Sequence, residues 1–158
     1  MPVYDLARLA ALLSILGTGV VYGTDVFCAL VLRPALAAVD DRALVAVTGN
    51  VHFYGDRRMP LPGVVGLLGA AASAALFGVT GHWANTVAAL AAIAVLLVWL
   101  MLYLRISAPI NKQLTSAART GDAPSNARVL QRNWDRIITA RAALQGAALI
   151  AMCAALTI

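Results

Sequence analysis

The sequence predicts an all-α integral membrane protein, a four-helix bundle with a short amphipathic interfacial helix after the first span. Three observations carry this. Of 158 residues, 61% are hydrophobic and only 12% are charged, whereas charged residues make up about a quarter of an ordinary globular chain. No charged residue falls between Arg58 and Arg105, a gap of 46 residues that is too long for one span and fits two of about 20 each. The remaining apolar runs, at the two ends of the chain, supply two more. The length suits a single membrane domain over 1–158. The composition excludes disorder, a coiled coil and a disulfide scaffold. The 33 alanines and eleven arginines, against one lysine and no glutamate, suit a GC-rich bacterial genome.

The first span covers about 6–32 and is ended by Arg33-Pro34. A cleaved signal peptide is the rival reading, with Ala35-Leu36-Ala37 as the cleavage triplet. Against it, the segment before the apolar run, Met1 to Asp5, is acidic rather than basic, and the run is longer than a usual signal core. After Pro34, residues 35–48 read as an amphipathic helix with Leu36, Val39, Ala43 and Val47 on its apolar face. The second span covers about 61–81 and the third about 84–104, separated by Gly81-His82-Trp83. Pro109 and Gly121-Asp122-Ala123-Pro124 punctuate the loop that follows. Ser125 is placed to cap a helix that runs into the fourth span, about 137–158. Arg128, Arg132 and Arg136 form a solvated basic stripe on it.

Close helix packing is expected at Gly19 and Gly23 in the first span. A second small-residue surface, Gly66, Gly69, Ala70, Ser73 and Ala74, lies in the second, since association in lipid relies on close backbone approach. These surfaces leave homo-oligomerisation open. Cys28 and Cys153 fall near opposite ends of their spans, too far apart to bridge across the Cα separation of about 7 Å that a disulfide tolerates.

Net charge is +5, which in such a chain points to cytoplasmic loops and not to nucleic acid. Loop 33–60 holds Arg33, Arg42, Arg57 and Arg58; loop 105–136 holds Arg105, Lys112, Arg119, Arg128, Arg132 and Arg136. Only Arg8 is on the other side. Both loops are therefore expected in the cytoplasm of a cell carrying the protein in its inner membrane, with both termini outside. Trp99, Tyr103 and Trp83 suit the aromatic belts.

The residues that can carry chemistry are few. Asp25 lies about 12 Å along the helix from Arg33, inside the inner half of the bilayer, where a carboxylate costs on the order of 2.5–3.5 kcal/mol. Thr18, Tyr22, Asp25 and Cys28 share one helix face. Arg141 enters the fourth span from the same side, on a face with Trp134, Ile138 and Gln145. It either snorkels to the headgroups or pairs with Asp25. His52 and Asp56, four apart, share a face if helical, a spacing that suits an oriented general base or two metal ligands. A third ligand would have to come from Asp25, Tyr22 or the second loop, so no cofactor and no metal is expected. His82 reads as an interface residue. There is no CxxC, HExxH, Walker loop or GxGxxG, so NAD, ATP and zinc hydrolysis have no support.

Four segments together resemble the anthrone-oxygenase-like family of small four-helix membrane proteins. They are Phe27 to Leu36 with its Leu32-Arg33-Pro34, the loop ending Arg57-Arg58-Met59-Pro60, Arg105-Ile106-Ser107-Ala108-Pro109-Ile110-Asn111, and Asn133-Trp134-Asp135 leading to Arg141. The resemblance covers most of the chain. It implies oxidation of an anthrone-like, hydrophobic phenolic substrate without a classical organic cofactor. It carries Arg105, Asn111, Trp134 and Arg141 over as site residues.

Two functional classes follow. As an oxygenase, the protein would take its substrate from the inner leaflet. His52, oriented by Asp56, would be the base; Arg105 or Arg141 and Asn111 would stabilise the oxyanion; Asp25 would orient Arg141; Tyr22, Tyr54 and Trp134 would contact the substrate. As an accessory or transport protein, it would use Asp25 and Arg141 structurally and its basic loops on anionic lipid or an acidic partner. The basic asymmetry makes a topology prediction. Cysteines introduced at Ser116 and Ala84 should be labelled from opposite faces, with position 116 reached from the cytoplasmic side. Labelling of 116 from the outer face alone would overturn the orientation.

Overall fold

The computed structural model describes residues 2–158. It contains helices and no strand among them. The elements are α1 (Val3–Phe27), a π-helical turn (Cys28–Leu32), α2 (Arg33–Ala37), α3 (Asp41–Arg58), α4 (Pro60–Val79), α5 (Trp83–Leu102), a second π turn (Tyr103–Ser107), α6 (Ala108–Thr120) and α7 (Ala127–Thr157). Four helical runs are long and apolar enough to cross a membrane: Val3–Ala37, Pro60–Val79, Trp83–Thr120 and Ala127–Thr157. The fold class is the one expected.

The element ends differ from expectation for local reasons. Pro34 does not stop the first helix. A proline lacks an N–H and its ring clashes with the carbonyl four residues back. The widened π turn before it accommodates this, with Arg33 N–H bonding five residues back to the Cys28 carbonyl. The same device precedes Pro109, where Ala108 N–H bonds to the Tyr103 carbonyl. The third helix therefore runs through the expected loop to Thr120 and ends at Gly121, whose φ of 76° is left-handed.

The helix expected over 35–48 is interrupted. The chain breaks at Ala38–Asp40, and Asp40 caps α3 by accepting from the Ala43 N–H at 2.8 Å. Its buried face is Leu44, Val45, Thr48, Gly49 and His52. Val39 and Val47, expected on the apolar face, are exposed. At the other end of the chain, α7 begins after backbone bonds from Ala127 and Val129 N–H to Pro124 and Asn126. Ser125 lies in that turn.

The chain divides into two compact units. One comprises the segments up to Gly23, Pro60–Trp99 and Ala143–Ile158. It is four helix segments around a core of small residues: Ala7, Ala11, Ala70, Ala74, Ala89, Ala92, Ala148 and Ala155, with Phe77 and Met152 filling the centre. Gly66, Gly69 and Ser73 are buried as expected. Their partner on α1 is Gly17, not Gly19 or Gly23. A Cβ at Gly17 would fall 2.5 Å from the Pro62 carbonyl oxygen, and one at Gly69 would fall 2.7 Å from Ser14 N; Gly19 and Gly23 have nothing within 4 Å. Ser14 donates to the Gly66 carbonyl at 2.7 Å. The helix pair so formed is knit by backbone approach, and the Gly19/Gly23 spacing plays no part in it. His82 lies against Tyr4, with ring centroids 4.6 Å apart, while Trp83 is exposed.

The second unit comprises Thr24–Met59 and Leu100–Ala142. Its core is Cys28, Ala29, Leu36, Leu44, Val45, Ile110, Leu114, Trp134 and Ile138. Helices α3 and α6 approach at Gly49, where a Cβ would fall 2.5 Å from the Leu114 carbonyl oxygen. Arg128 is not part of a solvated stripe. It bonds Asp41 at 2.6 Å, the Leu36 carbonyl at 3.0 Å and the Val39 carbonyl, clasping the break before α3. Cys28 is buried and Cys153 exposed, and both are free thiols.

The glycine contacts make a stability prediction. Gly69→Ala should cost about 1–3 kcal/mol, the usual penalty of overpacking. Gly19→Ala should be neutral or slightly stabilising. Thermal melts of the two variants in detergent check this, and equal losses would contradict the packing described.

Candidate functional site

Two linked centres gather buried polar side chains of the second unit. The first is Arg141, 5% exposed, on α7. Its guanidinium donates to Asp25 at 2.9 Å and to the Ser107 hydroxyl at 2.8 Å. It also lies 5.5 Å from the Tyr103 ring centroid and 5.8 Å from that of Trp134. Asp25 and Arg141 therefore pair, and Arg141 does not snorkel. Each charge supplies what water would supply elsewhere, which is the condition under which an ion pair survives in a low-dielectric interior.

The second centre is Asp56. One carboxylate oxygen accepts from the Tyr103 hydroxyl at 2.9 Å and from the Asn111 amide at 2.8 Å. Asn111 in turn accepts from Trp134 Nε1–H at 3.0 Å. Asn111 is thus a bridge, with its donor and its acceptor both engaged inside the protein. Tyr103, Ser107 and Asn111 follow one another at intervals of four residues along the π turn and α6, and so project the same way. Tyr103 thus serves the site and not only an aromatic belt, and its spacing and that of Ser107 from Asn111 are the signals that the sequence carries for them.

His52 lies over Trp134, ring centroids 5.4 Å apart. Its Nε2 is buried and has no hydrogen-bond partner. Among the described residues, no hydrogen bond joins His52 to Asp56. The expected base–orienter pair is not formed; Asp56 Oδ1 instead accepts from Tyr103 and Asn111. Burial pushes the His52 pKa down from 6.5 to about 4, with nearby Arg141 adding to the fall and Asp56 opposing it. The imidazole is therefore neutral near pH 7. The folded state therefore holds this proton less tightly than the unfolded one. This contribution is complete above pH 6.5 and is lost as pH falls toward about 4.

The other expected site residues differ in their surroundings. Arg105 is exposed and has no hydrogen bond or ion pair among the described residues. Tyr54 is exposed, edge-on to Phe53, with Arg58 5.1 Å from its ring centroid. Tyr22 belongs to the other unit, where its ring would lie 3.3 Å from a Cβ at Gly146. Trp134, expected to contact the substrate, is 6% exposed and packs internally between the two centres. Trp134, Ile138, Arg141 and Gln145 do share one buried helix face. No group of three or more His, Cys, Asp or Glu placed to hold a metal occurs among the described residues.

No protein-family profile, curated protein or solved structure matches the chain.

The pair makes a coupling prediction. Asp25→Asn and Arg141→Gln should each cost roughly 3–5 kcal/mol, because each leaves a buried charge unpaired. The double variant should lose less than the sum. Thermal melts of the three variants in detergent test it, since independent sites would add within about 0.3–0.5 kcal/mol.

Proposed function

We propose that the chain is a membrane-embedded oxidoreductase that oxidises a flat, hydrophobic, phenolic substrate of the anthrone class with O₂. The orientation proposed for it, in an inner membrane, keeps both termini outside and the loops 33–60 and 105–136 in the cytoplasm. The single observation that carries the chemistry is His52 Nε2, a buried, neutral and unpartnered nitrogen beside an aromatic ring. A base of this kind needs no prior loss of a proton to act near neutral pH. The resemblance of the Arg-Pro, Pro-Ile-Asn and Trp-to-Arg segments to anthrone-oxygenase-like proteins supplies the substrate class.

In this reading a substrate C–H proton passes to His52 Nε2. The resulting anion delivers its electrons to O₂ and forms a carbon–oxygen bond. The proton returns to give a hydroperoxide, which loses water to leave the quinone carbonyl. Asp56, Asn111 and Tyr103 act by positioning Trp134 and the α3–α6 contact. Arg141, with two of its nitrogens engaged by Asp25 and Ser107, acts through its charge on the developing anion. Because Nε2 is buried, this reading requires the packing around His52 to open before substrate reaches it.

A second reading, an accessory protein whose intramembrane charges are structural, is favoured by one specific observation. Arg141 and Asp56 both close on internal partners.

Turnover of an anthrone by the purified protein in nanodiscs, followed by O₂ uptake and quinone absorbance, separates the two. The oxidoreductase reading expects turnover above the protein-free rate and a loss of about 100-fold or more in kcat/KM for His52→Gln. It also expects a profile flat through neutral pH that falls as pH approaches the His52 pKa of about 4. A wild-type protein inactive on anthrones, or an unaffected His52→Gln, would overturn it and leave the accessory reading.

A further inference from the structure

On the outer face of α3, three guanidiniums gather on two aromatic rings. Arg57 stacks on Phe53 with its central carbon 3.6 Å from the ring centroid, and Arg119, from α6, lies 5.4 Å from the same centroid. Arg58 lies 5.1 Å from the Tyr54 centroid. All three arginines are exposed. None has a carboxylate partner among the described residues; the ion pairs there belong to Arg128 and Arg141. Two like charges converging on one ring repel each other, and cation–π attraction at exposed sites offsets only part of this. What completes such an arrangement is an anion.

The guanidiniums are also pre-set to receive one. Arg57 is held by the ring and by a 2.8 Å bond from one terminal nitrogen to the Phe53 carbonyl, which leaves its other donors directed outward. A guanidinium so fixed loses little side-chain entropy on binding and presents the planar donor fork that matches phosphate oxygens. The position selects the source of the anion. Only Met59 separates Arg58 from Pro60, where one of the four apolar helices begins. Arg57 and Arg58 thus directly precede one membrane-length helix in the chain, and Arg119 lies at the end of another, Trp83–Thr120; lipid headgroups lie at the ends of such helices. The ring edges beside the arginines suit the boundary between headgroup and acyl chain.

We propose that Arg57, Arg58 and Arg119, organised by Phe53 and Tyr54, form a binding site for the phosphate of an anionic phospholipid. This site is independent of the His52 chemistry.

The test uses the full chain in detergent, titrated with phosphatidylglycerol or phosphatidylcholine and read by native mass spectrometry for lipid retained per protein. Wild type should retain phosphatidylglycerol in preference to phosphatidylcholine. The triple variant Arg57→Gln/Arg58→Gln/Arg119→Gln should weaken phosphatidylglycerol binding about tenfold. A control of equal charge change on other exposed positions, Lys112→Gln/Arg132→Gln/Arg136→Gln, should change it less than twofold. Phe53→Leu keeps every charge and removes the stacking ring, and should weaken binding severalfold. Equal weakening by the two triple variants would mean diffuse attraction and overturn the site, as would the absence of a headgroup preference in the wild type. Millimolar inorganic phosphate added as competitor should displace little of the lipid. Full displacement would assign the site to free phosphate instead.

Discussion

The Asp25–Arg141 contact constrains more of this protein than any other single interaction. A carboxylate at that point in a long apolar helix is tolerable only with a counter-charge, and Arg141 supplies it. Arg141 in turn must be reached by Ser107, which lies in the π turn at the end of α5. The pair therefore sets where three helical runs meet. Replacing it with apolar residues would remove a desolvation cost, but also a contact that helps to specify their register.

Asp56 does for α3 what Arg141 does for α7. Its carboxylate gathers Tyr103 and Asn111, and Asn111 hands the connection on to Trp134. Trp134 sits between the two centres, bonded to one and facing the guanidinium of the other. His52 stands beside this network without joining it: its ring packs on Trp134, and its Nε2 is buried with no hydrogen-bond partner. An unpaired buried nitrogen costs free energy, and a fold that keeps one beside such a network invites a chemical reason for it.

Much of this was legible in the residues. The depth of Asp25 and Arg141 follows from counting along apolar runs, and charges at equal depth have few alternatives to pairing. The face of Trp134, Ile138, Arg141 and Gln145 follows from the helical period and is buried throughout. What was not legible depends on competition between local and distant partners. His52 and Asp56 are four apart on α3, yet Asp56 bonds to residues about fifty positions away, because α6 lies close against α3 at Gly49. The glycine spacing at 19 and 23 matched a packing motif that the structure does not use. Which glycine approaches a neighbour is decided by helix rotation, which no single helix encodes. Proline at 34 and 109 read as a stop, because spacing alone does not show that a wider turn has been inserted before it.

Those two π turns have a consequence for how the chain tolerates change. A π turn amounts to one residue added to an α-helix, and one residue is about 100° of rotation. The turn at Tyr103–Ser107 thus sets the angular phase of everything after it. Deleting one residue there would restore an unbroken helix and swing Asn111 about a quarter-turn away from Asp56 and Trp134. The apolar length of the span would hardly change. Chain length in this segment is accordingly a quantity as restricted as the identity of the charged residues, and gaps should be rarer there than substitutions.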